Sequence, residues 1–555
     1  MKKKLLPTFE IPDLKRLDAD QLRTLMAQMA GFVQASERHI EAQDHLLRER
    51  EQALKIAEQR IALLEEVLRL RKIEKFAASS EKSDFQLGLF DEAELNAAIG
   101  ELVDRIPAED NESKPLKELR RERKSRQRAF SPALPRKRIE LRLGEEEKRG
   151  ASKTFFTLVK EELEYIPAQL NVLEYWQEKA VFPSDEGDQV VMAKRPIHPL
   201  GKCTASLALI VQIILAKYAD GLPLYRQEAI FRRLGHEIRR ATMARWIIDL
   251  LPAIQPLLER YRAIQNSASY LQADETRIQV LKESGKTAQS DKWMWLTRGG
   301  PPGWECVLFE YAPTRAGKVA TDLFKGFTGI LQADGYGGYA PVCAQKGLTR
   351  IGCWDHARRK FVEASRAGIS AKPPKGKVPL AEEALDQIRA LYRIESKLDE
   401  ENASDAERLA VRKKTSLPRM AGFKVWLEQH ERKVMKDGLL HKAIRYSLNQ
   451  WEHLIGYCER GDLKISNALV ENAIRPFAVG RRNWLFADTT HGAEASAAWY
   501  SLIETAKMHQ LNPQAYLHYV LANIATADTT EKLDQLLAWN VKSKLATLQQ
   551  ADRVA

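Results

Sequence analysis

Cysteine is scarce in this sequence. Its 555 residues include five, Cys203, Cys306, Cys343, Cys353 and Cys458, and no two form a close pair. That excludes a disulfide scaffold and a paired-cysteine zinc site. Long hydrophobic runs are missing too: the stretch from Ala205 to Ala216 is interrupted by Gln212 and is too short to cross a bilayer. Met1-Lys-Lys-Lys-Leu-Leu starts like a signal peptide, but Pro7, Glu10 and Asp13 arrive before an apolar region develops. These absences predict a soluble chain of a reducing compartment with no membrane partner. Wholesale disorder is excluded as well, because 44% apolar and 29% charged residues supply a core. At about 150 residues per domain, the length predicts three or four structural units.

An excess of one charge is absent from most of the chain. The formal charge is +12, yet Lys114 to Arg138 holds eleven Lys/Arg and two Glu, a net +9, leaving +3 for all other residues. This basic run, with Arg120, Arg121, Arg123 and Lys124 at its centre, reads either as an arm that neutralises DNA phosphates or as a solvated linker. Pro107, Pro115, Pro132 and Pro135 around it favour a linker over a packed domain.

Ahead of it, apolar residues recur every seventh position at Met26, Val33, Ile40, Leu47, Leu54, Ile61 and Leu68. The second seam is apolar mainly at its ends, and Glu37, Asp44, Glu51, Glu58 and Glu65 form an acidic flank. The pattern predicts a coiled coil and self-association; a single amphipathic helix is the alternative. Residues 139–196 alternate like a small β-rich module. Tyr225–Gly235 and Arg240–Asp249 have helix-turn-helix spacing, with Arg240 and Arg245 on the second helix, a pattern also common in ordinary helical packing.

Beyond Tyr270 the texture becomes strand-like. Leu271–Leu281, Lys292–Thr297 and Cys306–Tyr311 predict three antiparallel strands, followed by a helix over Ala316–Phe324, a strand over Gly329–Tyr336 that ends in Asp334, and a strand over Leu348–Trp354. A basic helix then carries His356, Arg358 and Arg359, and residues from about Ala381 to Tyr457 read as helical. The order β-β-β-α-β-α-β-α predicts a ribonuclease H-like mixed sheet. Asp274 and Asp334 would then lie on neighbouring strands about 4.8 Å apart, close enough to share hard divalent cations. An ordinary strand and turn would use the same residues. Further on, Glu471 and Arg475 share a helix face that Pro476 should end or kink, and Arg481-Arg482-Asn483-Trp484 sets cations beside an aromatic, suited to a DNA backbone with one exposed base.

Gln272-Ala-Asp-Glu-Thr276, Ala333-Asp-Gly-Tyr-Gly-Gly-Tyr339, Cys353-Trp-Asp-His-Ala-Arg-Arg-Lys-Phe361 and the Glu471 helix, running on to Ser501-Leu-Ile-Glu-Thr-Ala-Lys507, occur in that order. With Tyr218–Arg226 and the heptads, they make nearly the whole chain resemble the large transposase of the insertion-sequence 66 family, bacterial DDE transposases. The resemblance implies a metal-binding catalytic triad of Asp274, Asp334 and Glu471, served by Mg²⁺ or Mn²⁺, two ions in all. It also implies terminal inverted repeats and target DNA as partners, element-encoded accessory proteins, and a cytoplasmic, nucleoid-associated setting in a bacterium. His356, Arg358 and Arg359 become phosphate contacts rather than metal ligands, a solvated basic helix being the alternative.

The division implied is a coiled coil over residues 1–78, a linker with the basic arm over 79–138, the β-rich module over 139–200 and a DNA-binding helical region over 201–265. A catalytic domain in two parts, 266–367 and 458–513, would enclose a helical insertion over 368–457, with a C-terminal helical region over 514–555. Two departures stand out: no cysteine lies in residues 139–196, where many relatives have a zinc-binding module, so zinc is not carried over, and Ser466-Asn467-Ala468 replaces their Asp-Asn-Asn. A non-catalytic DNA-binding regulator, an inactive remnant and a ribonuclease H-like nuclease without strand transfer are the rival functions.

Overall fold

A computed structural model describes residues 136–545 except 145, 150–152, 154, 159, 164–167, 183–188, 345–346 and 369–377, together with Met26, Met29, Ala30, Gly31, Val33 and Glu37. Those six are helical and exposed; the rest of the heptad segment, and Arg120, Arg121, Arg123 and Lys124, lie outside the described residues. Two compact units are present. The smaller contains the described residues from Arg136 to Met192 together with Ile230–Glu237; the larger contains Ala193–Ala229, the described residues from Ile238 onward and the six N-terminal ones. In the smaller unit, β1 (Lys179–Phe182) and β2 (Gln189–Met192) form an antiparallel hairpin. No helix among the described residues is long and apolar enough to cross a membrane.

Helices α1 (Leu207–Tyr218), α2 (Leu224–Arg233), α3 (Arg240–Asp249) and α4 (Leu251–Asn266) precede the main sheet. Its strands are β3 (Tyr270–Lys282), β4 (Lys292–Gly299), β5 (Cys306–Ala312), β6 (Gly329–Gln332), β7 (Leu348–Ile351) and β8 (Phe486–Thr489). The order is β5-β4-β3-β6-β7, with β8 also paired to β3. β3, β4 and β5 are antiparallel neighbours, whereas β6 runs parallel to both β3 and β7. The protein is therefore a mixed α and β structure on a mixed sheet.

Side-chain alternation along the strands separates two cores. Leu271, Ala273, Leu331 and Ala333 pack with Trp295, Tyr339 and helices α5 (Gly317–Leu323) and α6 (Ala340–Cys343). On the intervening parity, Ile330 and Tyr270 join a second core. Its other members include Trp354 and Phe361 of α7 (Trp354–Gly368), Ile388 of α8 (Leu380–Glu400), Phe423 of α10 (Leu417–Glu431) and Trp451 of α12 (Trp451–Ile455). Burying one such side chain contributes about 1.5–3 kcal/mol. Between α8 and α10, α9 (Asp405–Val411) runs into a π-helical turn, Arg412–Ser416. Fully buried Arg412 pairs with Glu395 through two bonds, at 2.9 and 2.6 Å, and donates to the carbonyls of Tyr457, Arg460, Gly461 and Leu463. It thus fastens the helical stretch, completed by α11 (Leu439–Asn449), to the segment that leads into α13 (Ala468–Trp484).

β3 is the longest strand, and its two edges are used differently. β4 pairs along one edge from Leu271 to Ile278. The other edge is shared: β6 pairs with Tyr270–Gln272, and β8 pairs with Gln279, Val280 and Lys282. A gap opens between them, and Asp274 lies in it. Part of the gap is closed by Arg481 of α13, which donates to the Arg277 carbonyl and, at 3.3 Å, to Thr276 Oγ1.

Three sequence expectations need correction. Pro476 neither ends nor breaks α13, which continues to Trp484; a proline removes only one ladder donor, and the flanking turns hold the helix. The fourth strand stops at Gln332, so Asp334 lies in the loop beyond it rather than in the strand. Strand β8 was not anticipated. It is four residues long, and only its pairing with β3 distinguishes it from a loop.

After β8, α14 (Thr490–Met508) lies against edge strand β5, where Ser501 and Thr505 hydroxyls accept from the N–H groups of Phe309 and Val307 at 2.8 and 3.0 Å. Those bonds protect an edge that would otherwise be open to pairing. α15 (Pro513–Asn523) and α16 (Thr530–Asp534) follow.

Candidate active site

The β3–β6 ladder sets the geometry of the two aspartates. It pairs Gln272 with Gln332, and two residues further along each chain come Asp274 and Asp334. Residues two apart in a strand share a face. Gln272 Nε2 donates to Gln332 Oε1 at 2.8 Å, so the register is locked just before the acids. Asp274 Oδ1 accepts from the N–H of Glu275 at 2.9 Å. Asp334 Oδ1 accepts from the N–H of Tyr336 at 3.0 Å, a turn in which the side chain bonds the backbone two residues on. Gly335 between them is required by space, because a Cβ there would meet the Tyr446 ring at 2.8 Å.

Glu471 reaches the same place from α13. Gln272 draws that helix in: its Nε2 donates to Ser466 O at 3.2 Å, and its Oε1 accepts from Val470 N–H at 3.2 Å. Glu471 thus occupies the first turn, one residue beyond the tether. Two residues of α7 face it, with His356 Nδ1 3.6 Å from Oε1 and Arg359 Nη2 3.7 Å from Oε2. Glu471 Oε1 and His356 Nδ1 are both buried and without a hydrogen-bond partner.

Electrostatics links all three acids. Burial pushes the Asp274 carboxyl well above the usual carboxylate range; the negative charges of Glu275, Glu471 and Asp334 push it further, and the Glu275 N–H partly opposes them. Such repulsion at short range is relieved by protonation or by a cation.

Glu275 had no role in the sequence reading, although it follows Asp274 directly. It is buried on the opposite parity, where Arg315 Nε donates to Oε1 at 2.6 Å and Tyr339 O–H donates to Oε2 at 2.5 Å. Arg315 also approaches Asp334 Oδ2 at 3.7 Å, bridging the two acids. Burial, then Asp334, raises the Glu275 carboxyl to about 7, against the lowering effect of Arg315 and Tyr339. The signal that could have found this pair was the adjacency of two acids in a strand, which sends one to each face.

The proposed DNA contacts divide. Arg475 and Arg482 are exposed on α13, as are Asn483 and, on α3, Arg240 and Arg245; Arg358 is half-buried on α7. His356 and Arg359 instead approach Glu471. Arg481 turns inward to β3, and burial lowers its guanidinium from its ordinary value. Trp484 is a core residue at 8% exposure, edge-to-face with Phe477 at 5.6 Å and covered by the Lys217 ammonium at 5.0 Å. It is no open platform for a base: its apolar ring completes the base of α13 instead.

Residues 202–495 match the family described as "Transposase IS66 family", and residues 501–539 match the "IS66 C-terminal element". Two relatives come from Sinorhizobium fredii. The uncharacterized protein y4qI is 28% identical over 567 aligned residues, covering 97% of this chain and 99% of its own length. The uncharacterized protein y4hP is 30% identical over 395 residues, 69% of this chain and 70% of its own.

Proposed function

The chain belongs to the IS66 family of transposases, and from that premise we propose that it cuts and joins DNA at the ends of its element through Asp274, Asp334 and Glu471 on a ribonuclease H-like sheet. The observation that carries this reading is the convergence on Asp274, whose carboxyl is pushed up first by burial and Glu275 and then by both Glu471 and Asp334. The three acids come from a strand, a loop and a helix, with Arg315 3.7 Å from Asp334 and Arg359 3.7 Å from Glu471 at the margins of the group.

The donor set fits hard divalent cations: all three groups offer carboxylate oxygens, and Glu471 Oε1 is buried without a partner. Two Mg²⁺ or Mn²⁺ ions held by these residues would supply charge neutralisation and acidify an attacking water or 3′-hydroxyl. The protein's own contribution is positioning. The Glu275 N–H orients Asp274, the Tyr336 N–H orients Asp334, and Gln272 sets the first turn of the Glu471 helix against the sheet. Arg315 neutralises Glu275 behind the site. Arg358, Arg475, Arg482 and Asn483 then offer donors to the DNA backbone, with Arg240, Arg245 and the basic arm reading or holding the terminal repeats. The heptads bring protomers together so that two ends are processed jointly.

Incubation of the purified protein with a labelled duplex carrying the element's terminal repeat, a target plasmid and Mg²⁺ or Mn²⁺ tests the reading. Strand cleavage exposing a 3′-hydroxyl, followed by joined products, is the expected result. Cleavage without joining would make it a nuclease, and binding without cleavage a regulator or inactive remnant.

A further inference from the structure

Cys353, His356 and Glu471 form a cluster that the transposition chemistry does not use as a unit. Each presents one ligand atom, and the sulfur, nitrogen and oxygen all lie within 4.8 Å of one another. Cys353 sits in the turn between β7 and α7, and His356 follows in the first turn of α7, so a Cys-x-x-His spacing sets both side chains toward the N-terminus of α13. His356 Nδ1 and Glu471 Oε1 are 3.6 Å apart, too far for a hydrogen bond, and both atoms are buried without partners. Two nitrogen or oxygen ligands of a tetrahedral zinc ion, with bonds of about 2.0–2.1 Å, stand about 3.3 Å apart. The pair is therefore spaced for an ion between its atoms and not for direct bonding.

Burial, then the charges of Asp355 and Glu471, push the Cys353 thiol well above its ordinary value, with the backbone N–H groups of Asn467 and His356 in partial opposition. The metal-free site therefore holds a thiol that only a bound cation would deprotonate. The N–H of Asn467 donates to Cys353 Sγ at 3.5 Å, and Asn467 is itself fully buried with both side-chain polar atoms unpartnered. Arg359 Nη2 lies 3.7 Å from Oε2 of Glu471, while Oε1 is buried without a hydrogen-bond partner. His356 and Glu471 each keep 19% side-chain exposure, although Nδ1 and Oε1 themselves are buried.

We propose that Cys353, His356 and Glu471 bind a thiophilic divalent cation, zinc by its chemistry, at a site that adjoins the hard-cation site of the three carboxylates and shares Glu471 with it. One thiolate and one carboxylate balance the charge of the ion, and binding releases the Cys353 proton to solvent. The occupied site takes the Glu471 oxygen that phosphoryl transfer needs, so zinc acts as a brake. That consequence rests on the proposed function; the binding site does not.

Cobalt(II) titrated into the full-length reduced protein reads the site directly, through a thiolate-to-cobalt charge-transfer band in the near ultraviolet. We expect the band at one equivalent, its loss in Cys353→Ser, and an affinity loss of at least about 100-fold in His356→Asn, beyond what an outer-shell partner costs. Circular dichroism checks folding; if Cys353→Ser does not fold, His356→Asn alone decides. No band in the wild type, a band surviving in Cys353→Ser, or unchanged affinity in His356→Asn overturns the proposal. In Mg²⁺-supported cleavage, zinc should inhibit the wild type and lose at least about tenfold in potency against Cys353→Ser; equal potency contradicts the brake. A protein that binds cobalt through Cys353 but never cuts DNA defeats the transposase reading and leaves the site standing.

Discussion

A carboxylate surrounded by carboxylates is unfavourable at neutral pH, and Asp274 is in that position. With its folded-state pKa raised, the native state holds protons that the unfolded chain has released, so stability falls as pH rises through that interval. For Glu275 the interval runs from the ordinary glutamate value of 4.5 to about 7. Metal-free protein should therefore lose thermal stability across this range, and Glu275→Gln, which keeps one acceptor oxygen for Arg315 and turns an N–H toward the Tyr339 oxygen, should flatten the loss. A melting temperature independent of pH from 4.5 to 7 in the wild type would contradict the assignment. Asp274→Asn should likewise melt higher than wild type without metal, and lose that advantage when Mn²⁺ is added. The positions of Asp274 and, to within two residues of its strand's end, Asp334 were legible in the sequence because a strand pattern and a Gly-rich turn mark them. Glu471 was not: it lies 137 residues beyond Asp334, and only the resemblance singled it out. Glu275 escaped because its partners come from separate segments, Arg315 from a loop and Tyr339 from a 3-10 turn, and the adjacency of the two acids does not say which residues meet the second.

Elements are held to the site by buried polar groups. Gln272 joins β3, β6 and α13, and Gln332 completes the link by donating to Gly352 O and Lys464 O, both at 2.9 Å. Gln272→Leu takes the donor from the Ser466 carbonyl and leaves Val470 N–H with Asn467 O and Gln332 Oε1 with the Tyr270 hydroxyl, which should cost about 1–3 kcal/mol in denaturant unfolding; no measurable loss would show the link to be incidental. Arg412→Ala leaves Glu395 buried without its partner, together with the carbonyls that Arg412 served, and should cost about 3–5 kcal/mol, part of it recovered when Glu395 is also made apolar. Strand positions were readable from alternation and turn residues, since half-buried strands advertise their period. The π-helical turn at Arg412, the passage of α13 through Pro476 and the short strand β8 were not, because tertiary contacts supply what local propensity withholds. Trp484 misled for the same reason: an aromatic beside arginines reads as a DNA platform until Phe477 and Lys217 are seen against it.

Across the whole molecule, the +12 charge divides into a basic arm and a nearly balanced remainder. If the arm contacts phosphate, replacing Arg120, Arg121, Arg123 and Lys124 with Gln should reduce the slope of log affinity against log salt by up to about 3–4; an unchanged slope makes the arm a linker. The heptad pattern and the arm remain sequence readings, whereas the sheet and its two cores are visible in the structure. The central claim is that Asp274, Asp334 and Glu471 act as one site, and it is tested most directly by single-turnover cleavage of a terminal-repeat duplex in Mn²⁺. Wild type should be compared with Asp274→Asn, Asp334→Asn and Glu471→Gln, with DNA binding measured in parallel. All three variants should bind the duplex as wild type does and cut it at least about 1,000-fold more slowly, the loss of several kcal/mol of metal-assisted stabilisation. A variant that cuts at the wild-type rate would remove its residue from the site and contradict the account.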